Sequence, residues 1–141
     1  MNTSKRIYLT SVFLLIFHSA AFAGNRIDLQ KIAHIESSHN PLAIGKGGDL
    51  GLYQITPILL KEYNNFHSTK YSTLQLFNAS INTSIAQWYF EVRIPQMLRH
   101  FKISVTHRNI LICYNSGINT LVKNKKLSEI TRRYLVKYDN L

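Results

Sequence analysis

Glu36 is the side chain of this sequence best placed for acid–base chemistry. Ile32, Ala33 and Glu36 lie four and three residues apart, so in a helix the carboxyl shares a face with apolar side chains. Partial desolvation there disfavours the charged form and raises the pKa, and a glutamate still protonated near neutral pH can act as a general acid. On Glu36 alone, a solvated helix-end glutamate is the favoured reading, because most carboxylates lie on the surface. Two further groups follow in the same stretch. Gln54 stands 18 residues later in the run Gly51-Leu52-Tyr53-Gln54-Ile55, and Asp49 precedes it after two glycines. Asp49 is either a turn residue, which its glycine neighbours favour, or a second carboxyl beside the first.

These groups need elements to hold them. Residues 28–37 read as a helix, broken by Asn40-Pro41 because a residue before proline avoids the α region. A loop with Gly45, Gly47 and Gly48 leads into strand character over 49–55. Thr56-Pro57 reads as an N-cap with proline at the first helical position, opening a helix over 57–63, with 64–72 a polar loop. Residues 74–77 lead into the capping-rich stretch 78–83. The stripe Ile81, Ile85, Trp88 and Val92 predicts a long helix over 81–99 whose apolar face is core, with Pro95 kinking or splitting it. Ser104 and Thr106 offer caps for a helix over 105–114, stopped at Asn115-Ser116-Gly117. A last helix, 127–138, carries Arg132, Arg133 and Lys137, which suit its C-terminal half. The pattern is mainly α: a bundle of helices around a cleft, with one short β-like segment.

The stretch around Glu36 resembles the catalytic region of the soluble lytic transglycosylase (SLT) family, within the goose-type lysozyme-like superfamily. The resemblance is carried by Glu36-Ser37, Asn40-Pro41, Gly48 and Gly51-Leu52-Tyr53-Gln54-Ile55 in order, by Asn82, by Cys113-Tyr114-Asn115-Ser116-Gly117, and by Thr131-Arg132-Arg133-Tyr134-Leu135. It implies a lysozyme-like fold and cleavage of the bond between N-acetylmuramic acid and N-acetylglucosamine, giving 1,6-anhydro ends, without a cofactor. It also implies Glu36 as the acid and then the base, with Ser37, Tyr53, Gln54, Tyr114, Asn115 and Tyr134 about the acid and the sugar subsites. Members of this kind open the wall locally for secretion, conjugation or pilus machinery. The sequence departs from the family at several places: Gly45 stands where many members have serine, Asp49 where many have alanine, Ile130 where a glutamate is common, and Tyr53 where Met or Phe is usual.

Composition bounds the rest. A charged fraction of 17% and an apolar fraction of 45% describe a globular chain. Residues 1–23 read as a secretory signal peptide: Lys5 and Arg6, an apolar core from Val12 to Phe17, and Ala21-Phe22-Ala23 as the cleavage site. That core is short for a membrane span and His18 interrupts it. Residues 24–141 would then form one catalytic domain in the periplasm or outside the cell, expected to be a monomer without stable membrane insertion. The formal charge of +10 falls to +8 without Lys5 and Arg6. Such a surface is drawn to polyanions; secretion argues against nucleic acid, whereas peptidoglycan, with carboxylates on its stem peptides, fits charge and compartment together. Cys113, the single cysteine, sits among Ile110, Leu111 and Ile112 and reads as a buried apolar residue. The six histidines show no metal-ligand spacing, and no metal site is expected.

Two other readings stay open. A hydrolytic muramidase would use Glu36 and Asp49 as the two carboxyls of an ordinary glycosidase. A non-catalytic wall-binding module would grip glycan strands without cutting, although it has no need of Glu36 inside this pattern.

Overall fold

The computed structural model describes residues 26–141, and the signal-peptide reading of 1–23 lies outside them. Among the described residues seven α-helices run in chain order, α1 Leu29–Ser37, α2 Pro57–His67, α3 Ala79–Trp88, α4 Ile94–His100, α5 His107–Ser116, α6 Ile118–Val122 and α7 Glu129–Asn140. The β-like segment is two antiparallel bridges, Ile44 with Leu50 and Leu50 with Ile55. The mainly helical, lysozyme-like architecture read from the sequence is the one observed.

The caps explain most boundaries. Asp28 Oδ1 accepts from the amide of Gln30 at 2.9 Å to open α1, Thr56 Oγ1 from that of Leu59 at 3.1 Å to open α2, and Asn78, Thr106 and Ser128 open α3, α5 and α7 in the same way. α1 closes on Ser38 in the left-handed region (φ 52°, ψ 40°), with His39 left-handed as well, so the turn is complete before Asn40-Pro41 is reached.

Three segments differ from the sequence expectation. α2 runs on to His67, because Asn64 is held from outside the helix: its Nδ2 donates to the Tyr71 carbonyl at 2.8 Å and its Oδ1 accepts from Thr69 and Tyr71. The helix expected over 81–99 with a kink or split at Pro95 is α3, a π-turn over Tyr89–Arg93, and α4, so the interruption exists but falls before Pro95. In that turn the Ile94 amide bonds to the Tyr89 carbonyl five residues back, and the widened register accommodates Pro95, which lacks an N–H and would otherwise press on the carbonyl four residues before it. Gly117 has the positive φ expected (80°), but with ψ 157° the chain leaves extended and re-enters the short helix α6, which the sequence pattern does not announce.

The core gathers Ile32 and Ala33 from α1, Leu60 and Tyr63 from α2, Ile85 and Trp88 from α3, Leu98 from α4, Ile110–Cys113 from α5, and Tyr134, Leu135 and Tyr138 from α7. Each large apolar side chain removed from water contributes roughly 1.5–3 kcal/mol before entropy is charged against it. α7 packs on both α1 and α5. Its Tyr138 hydroxyl accepts from the Asp28 amide at 2.7 Å and lies 3.2 Å from His107 Nε2, so the start of α1 is fastened to the helices behind it.

Candidate active site

Glu36 sits on the penultimate residue of α1 and opens into a cavity of about 300 Å³. Asp49 and Gln54, from the bridged loop, line the cavity with it; Tyr114 and Asn115 come from the end of α5, Tyr89 from the π-turn, and Thr56 and Leu59 from the start of α2. Two elements close on each other here. Ser37 Oγ donates to the Ala33 carbonyl at 3.1 Å and to the Leu52 carbonyl at 2.9 Å, tying the end of α1 to the loop. The Tyr114 hydroxyl donates to the Tyr53 carbonyl, tying α5 to the same loop.

Asn82, fully buried in α3, clamps the loop from beneath. Its Oδ1 accepts from the Tyr53 amide at 2.9 Å, and its Nδ2 donates to the carbonyls of Leu50 at 2.9 Å and Leu76 at 2.8 Å. The clamp explains Gly51: a Cβ there would fall 2.3 Å from Asn82 Nδ2 and 2.4 Å from the Leu76 carbonyl, and φ is +77°. Gln54 is itself held at φ 47°, and its Nε2 donates to the Gly51 carbonyl at 2.9 Å. Gly45 gives that amide its room, since a Cβ at 45 would lie 2.5 Å from Gln54 Oε1.

The Glu36 carboxyl is pushed up from 4.5 to about 7. Burial is the main cause; the Tyr134 hydroxyl opposes it, the Asp49 charge adds to it, and Lys137 opposes it again. Tyr134 reaches toward the carboxyl, but too loosely for a conventional hydrogen bond, so its buried oxygen has no such partner among the described residues. Burial raises Tyr134 and Tyr114 far above the ordinary phenol range, with Glu36 adding to both, and raises Tyr89 to about 12. These three phenols stay protonated, and Glu36 is a carboxyl whose proton is held to about pH 7. Such a group can give a proton near neutral pH and take one back.

A protein-family model described as the transglycosylase SLT domain matches residues 17–136. The chain belongs to that family. No curated protein and no solved structure matches it. Membership supports a peptidoglycan-acting function like that of lytic transglycosylases.

Within this SLT domain the residues singled out from sequence fall in two groups. Glu36, Asp49, Gln54, Tyr114 and Asn115 share the cavity wall. Ser37, Tyr53 and Tyr134 stand behind it: Ser37 spends its hydroxyl on backbone carbonyls, and Tyr53 and Tyr134 are buried at 3% and 6% exposure. The sequence reading passed over Tyr89, Thr56 and Leu59 as wall residues and Asn82 as the clamp. Pro95 signals that the helix over 81–99 is interrupted, but not which side chain the interruption turns toward the cavity. No group of three or more potential metal ligands occurs among the described residues, and no helix there is long and apolar enough to cross a membrane.

Proposed function

We propose that this SLT domain is a lytic transglycosylase in which Glu36 alone performs both proton transfers. The observation that supports it most is a half-buried glutamate, raised to about 7, in a cavity it shares with neutral amides and phenols and with Asp49. Protonated Glu36 gives its proton to the oxygen joining N-acetylmuramic acid to N-acetylglucosamine, and the C1–O bond breaks. The substrate's own N-acetyl group steadies the developing cation. Glu36, now a carboxylate, takes the proton of the muramic 6-hydroxyl as that oxygen closes on C1 to form the 1,6-anhydro ring. No water is consumed, and the acid ends protonated and ready for another turnover. Gln54, Asn115 and Tyr114 orient the sugars, Tyr53 walls the loop, and Ser37 and Tyr134 hold the acid in place.

The setting we propose is the periplasm or the cell exterior, reached through residues 1–23, with wall opening for a secretion, conjugation or pilus apparatus. The leader-like sequence and the basic charge support that setting. The test is a digest of purified peptidoglycan by the protein and by its Glu36→Gln variant, with products read by mass spectrometry. Anhydro-muropeptides from the first and none from the second are expected; no products from either would sink the reading.

A second reading is favoured by one observation: Asp49 lines the same cavity and its charge acts on Glu36. In a hydrolase Asp49 would activate water against the sugar, and the products would carry reducing ends. An Asp49→Asn variant separates the two. Anhydro products that persist in the variant support the single-acid mechanism; their loss moves the chemistry to a pair of carboxyls.

A further inference from the structure

Asp49 is an anion without a counter-charge. Glu62, Glu91 and Glu129 each face an arginine. Asp49 instead shares the acid cavity with Glu36, and its carboxylate has no hydrogen bond or ion pair among the described residues. The backbone around it leaves it open to approach. Gly45 and Gly47 flank it, and a Cβ at either position would lie 3.4 Å from Asp49 Oδ2.

Gln54 stands on the same side of the cavity. Its amide nitrogen is spent on the loop, donating to the Gly51 carbonyl at 2.9 Å and to the Ala43 carbonyl at 3.4 Å. Two carbonyl partners fix which end of the amide is nitrogen. Its Oε1 is left on the side of Gly45, where a Cβ would lie 2.5 Å from it. The side chains of Asp49 and Gln54 therefore present oxygen acceptors to the cavity, one of them charged, and no donor.

We propose that this wall selects strands carrying a glucosamine without its acetyl group, whose 2-ammonium pairs with Asp49. The inference rests on the peptidoglycan-cleaving reading of Glu36. An acetamido nitrogen offers a single neutral N–H, whereas an ammonium offers three donors and the charge that Asp49 lacks. The mechanism says which sugar can lose its acetyl group. The muramic residue must keep its own, because that group steadies the cation at C1, while the glucosamine nitrogen takes no part in either proton transfer. General attraction is not the source of the preference. With a formal charge of +10 the chain as a whole repels a cationic sugar, so a preference for one has to come from a local anion. Gly45 and Asp49 are both positions where the sequence departs from its family, so the selectivity belongs to this chain.

Binding is measured first on Glu36→Gln, in which Asp49 is the remaining carboxyl of the cavity wall. The probes are a glucosamine tetramer and an N-acetylglucosamine tetramer, titrated by calorimetry below neutral pH, where the amine carries its proton. The glucosamine tetramer is expected to bind about tenfold tighter, the worth of a charge-assisted hydrogen bond, and the preference to vanish in Glu36→Gln/Asp49→Asn. Equal affinities in Glu36→Gln, or a preference that survives the second substitution, would overturn the proposal. A second comparison needs no variant. Wild-type kcat/KM is measured on strands freed of peptide stems by an amidase, so that no peptide amine remains, before and after a deacetylase has acted on their glucosamines. A ratio of about ten in favour of the deacetylated strands is expected, returning to about one when the amines are acetylated again. A ratio of one throughout would overturn the proposal. Preferential binding of the glucosamine tetramer with no cleavage of either strand would defeat the enzymatic reading of Glu36 and leave the ammonium site standing.

Discussion

The end of α1 and the first turn of α7 each carry a glutamate, and the two have opposite fates. Glu36 lies at the C-terminal end of its helix, where the dipole disfavours an anion, and is half-buried beside Asp49. Its proton is held to about pH 7. Glu129 opens α7, where the dipole favours an anion. It faces solvent between two cations, with Arg132 Nη2 at 2.8 Å and Arg133 Nε at 3.1 Å. Those hydrogen bonds hold its carboxyl below the usual carboxylate range. The same residue type becomes an acid in one place and a fixed charge in the other, and what separates them is water, neighbouring charge and helix end.

The largest expected effect comes from neutralising the acid. Glu36→Gln should lower turnover on peptidoglycan roughly 10³-fold, within the range of a lost general acid. It should also stabilise the protein, and only at higher pH. A carboxyl whose folded pKa is raised costs nothing below the unfolded value of 4.5, since both states are protonated. As pH rises toward 7 the unfolded chain loses its proton and the folded one keeps it, so stability falls by up to about 3 kcal/mol. Melting curves of the two proteins should therefore coincide near pH 4 and separate at pH 8, with the variant higher. Coincidence at both values would mean that Glu36 is as solvated as Glu129.

The next effect acts on the loop that desolvates Glu36. Asn82→Ala leaves the Tyr53 amide and the Leu50 and Leu76 carbonyls without their partner in the interior, at a cost of about 2–4 kcal/mol in unfolding free energy. With the clamp gone the loop should loosen from α1, water should reach Glu36, and its pKa should move toward 4.5. Chemical denaturation and an NMR titration of the carboxyl read the two consequences separately. A destabilised protein with an unmoved Glu36 would show that the desolvation belongs to α1 and α7 alone.

This dependence on the loop marks how much of the site was legible in the sequence. Glu36 was readable because helical spacing puts it beside Ile32 and Ala33 and the motif around it tips the reading to an acid, and the caps at Thr56 and Thr106 were readable because capping is local. Gln54, Tyr114 and Asn115 were readable as motif members. A motif does not say whether a residue touches the cavity, however, and Ser37, Tyr53 and Tyr134 stand behind it. Most of the unread parts depend on bonds made outside their own element. α2 outlasts its expected end through the bonds of Asn64 around Tyr71, Asn82 gains its role only when three separate backbone groups converge on it, and Tyr89 faces the cavity from a π-turn that local propensity does not encode.

A smaller effect sharpens the acid itself. Tyr134→Phe removes a hydroxyl that holds the Glu36 pKa down, so the carboxyl should keep its proton to higher pH. The alkaline limb of the kcat–pH profile, expected near 7 in the wild type, should move upward by at most about one pH unit, the worth of one modest hydrogen bond. A shift downward would mean that the ring's packing, lost or rearranged, matters more than its hydroxyl.

The smallest effect belongs to the other glutamate. Glu129→Gln removes an exposed ion pair whose depressed pKa makes its contribution present above the unfolded carboxylate pKa and lost as pH falls through the folded one. Solvent and salt screen it, so melting temperatures of variant and wild type should agree within error at neutral pH, and more closely still in high salt. Turnover and its pH profile should be unchanged, because Glu129 lies outside the cavity wall. A change in the pH profile would show that the charge of α7 reaches the acid through Tyr134 and Lys137, and the two glutamates would then belong to one electrostatic system.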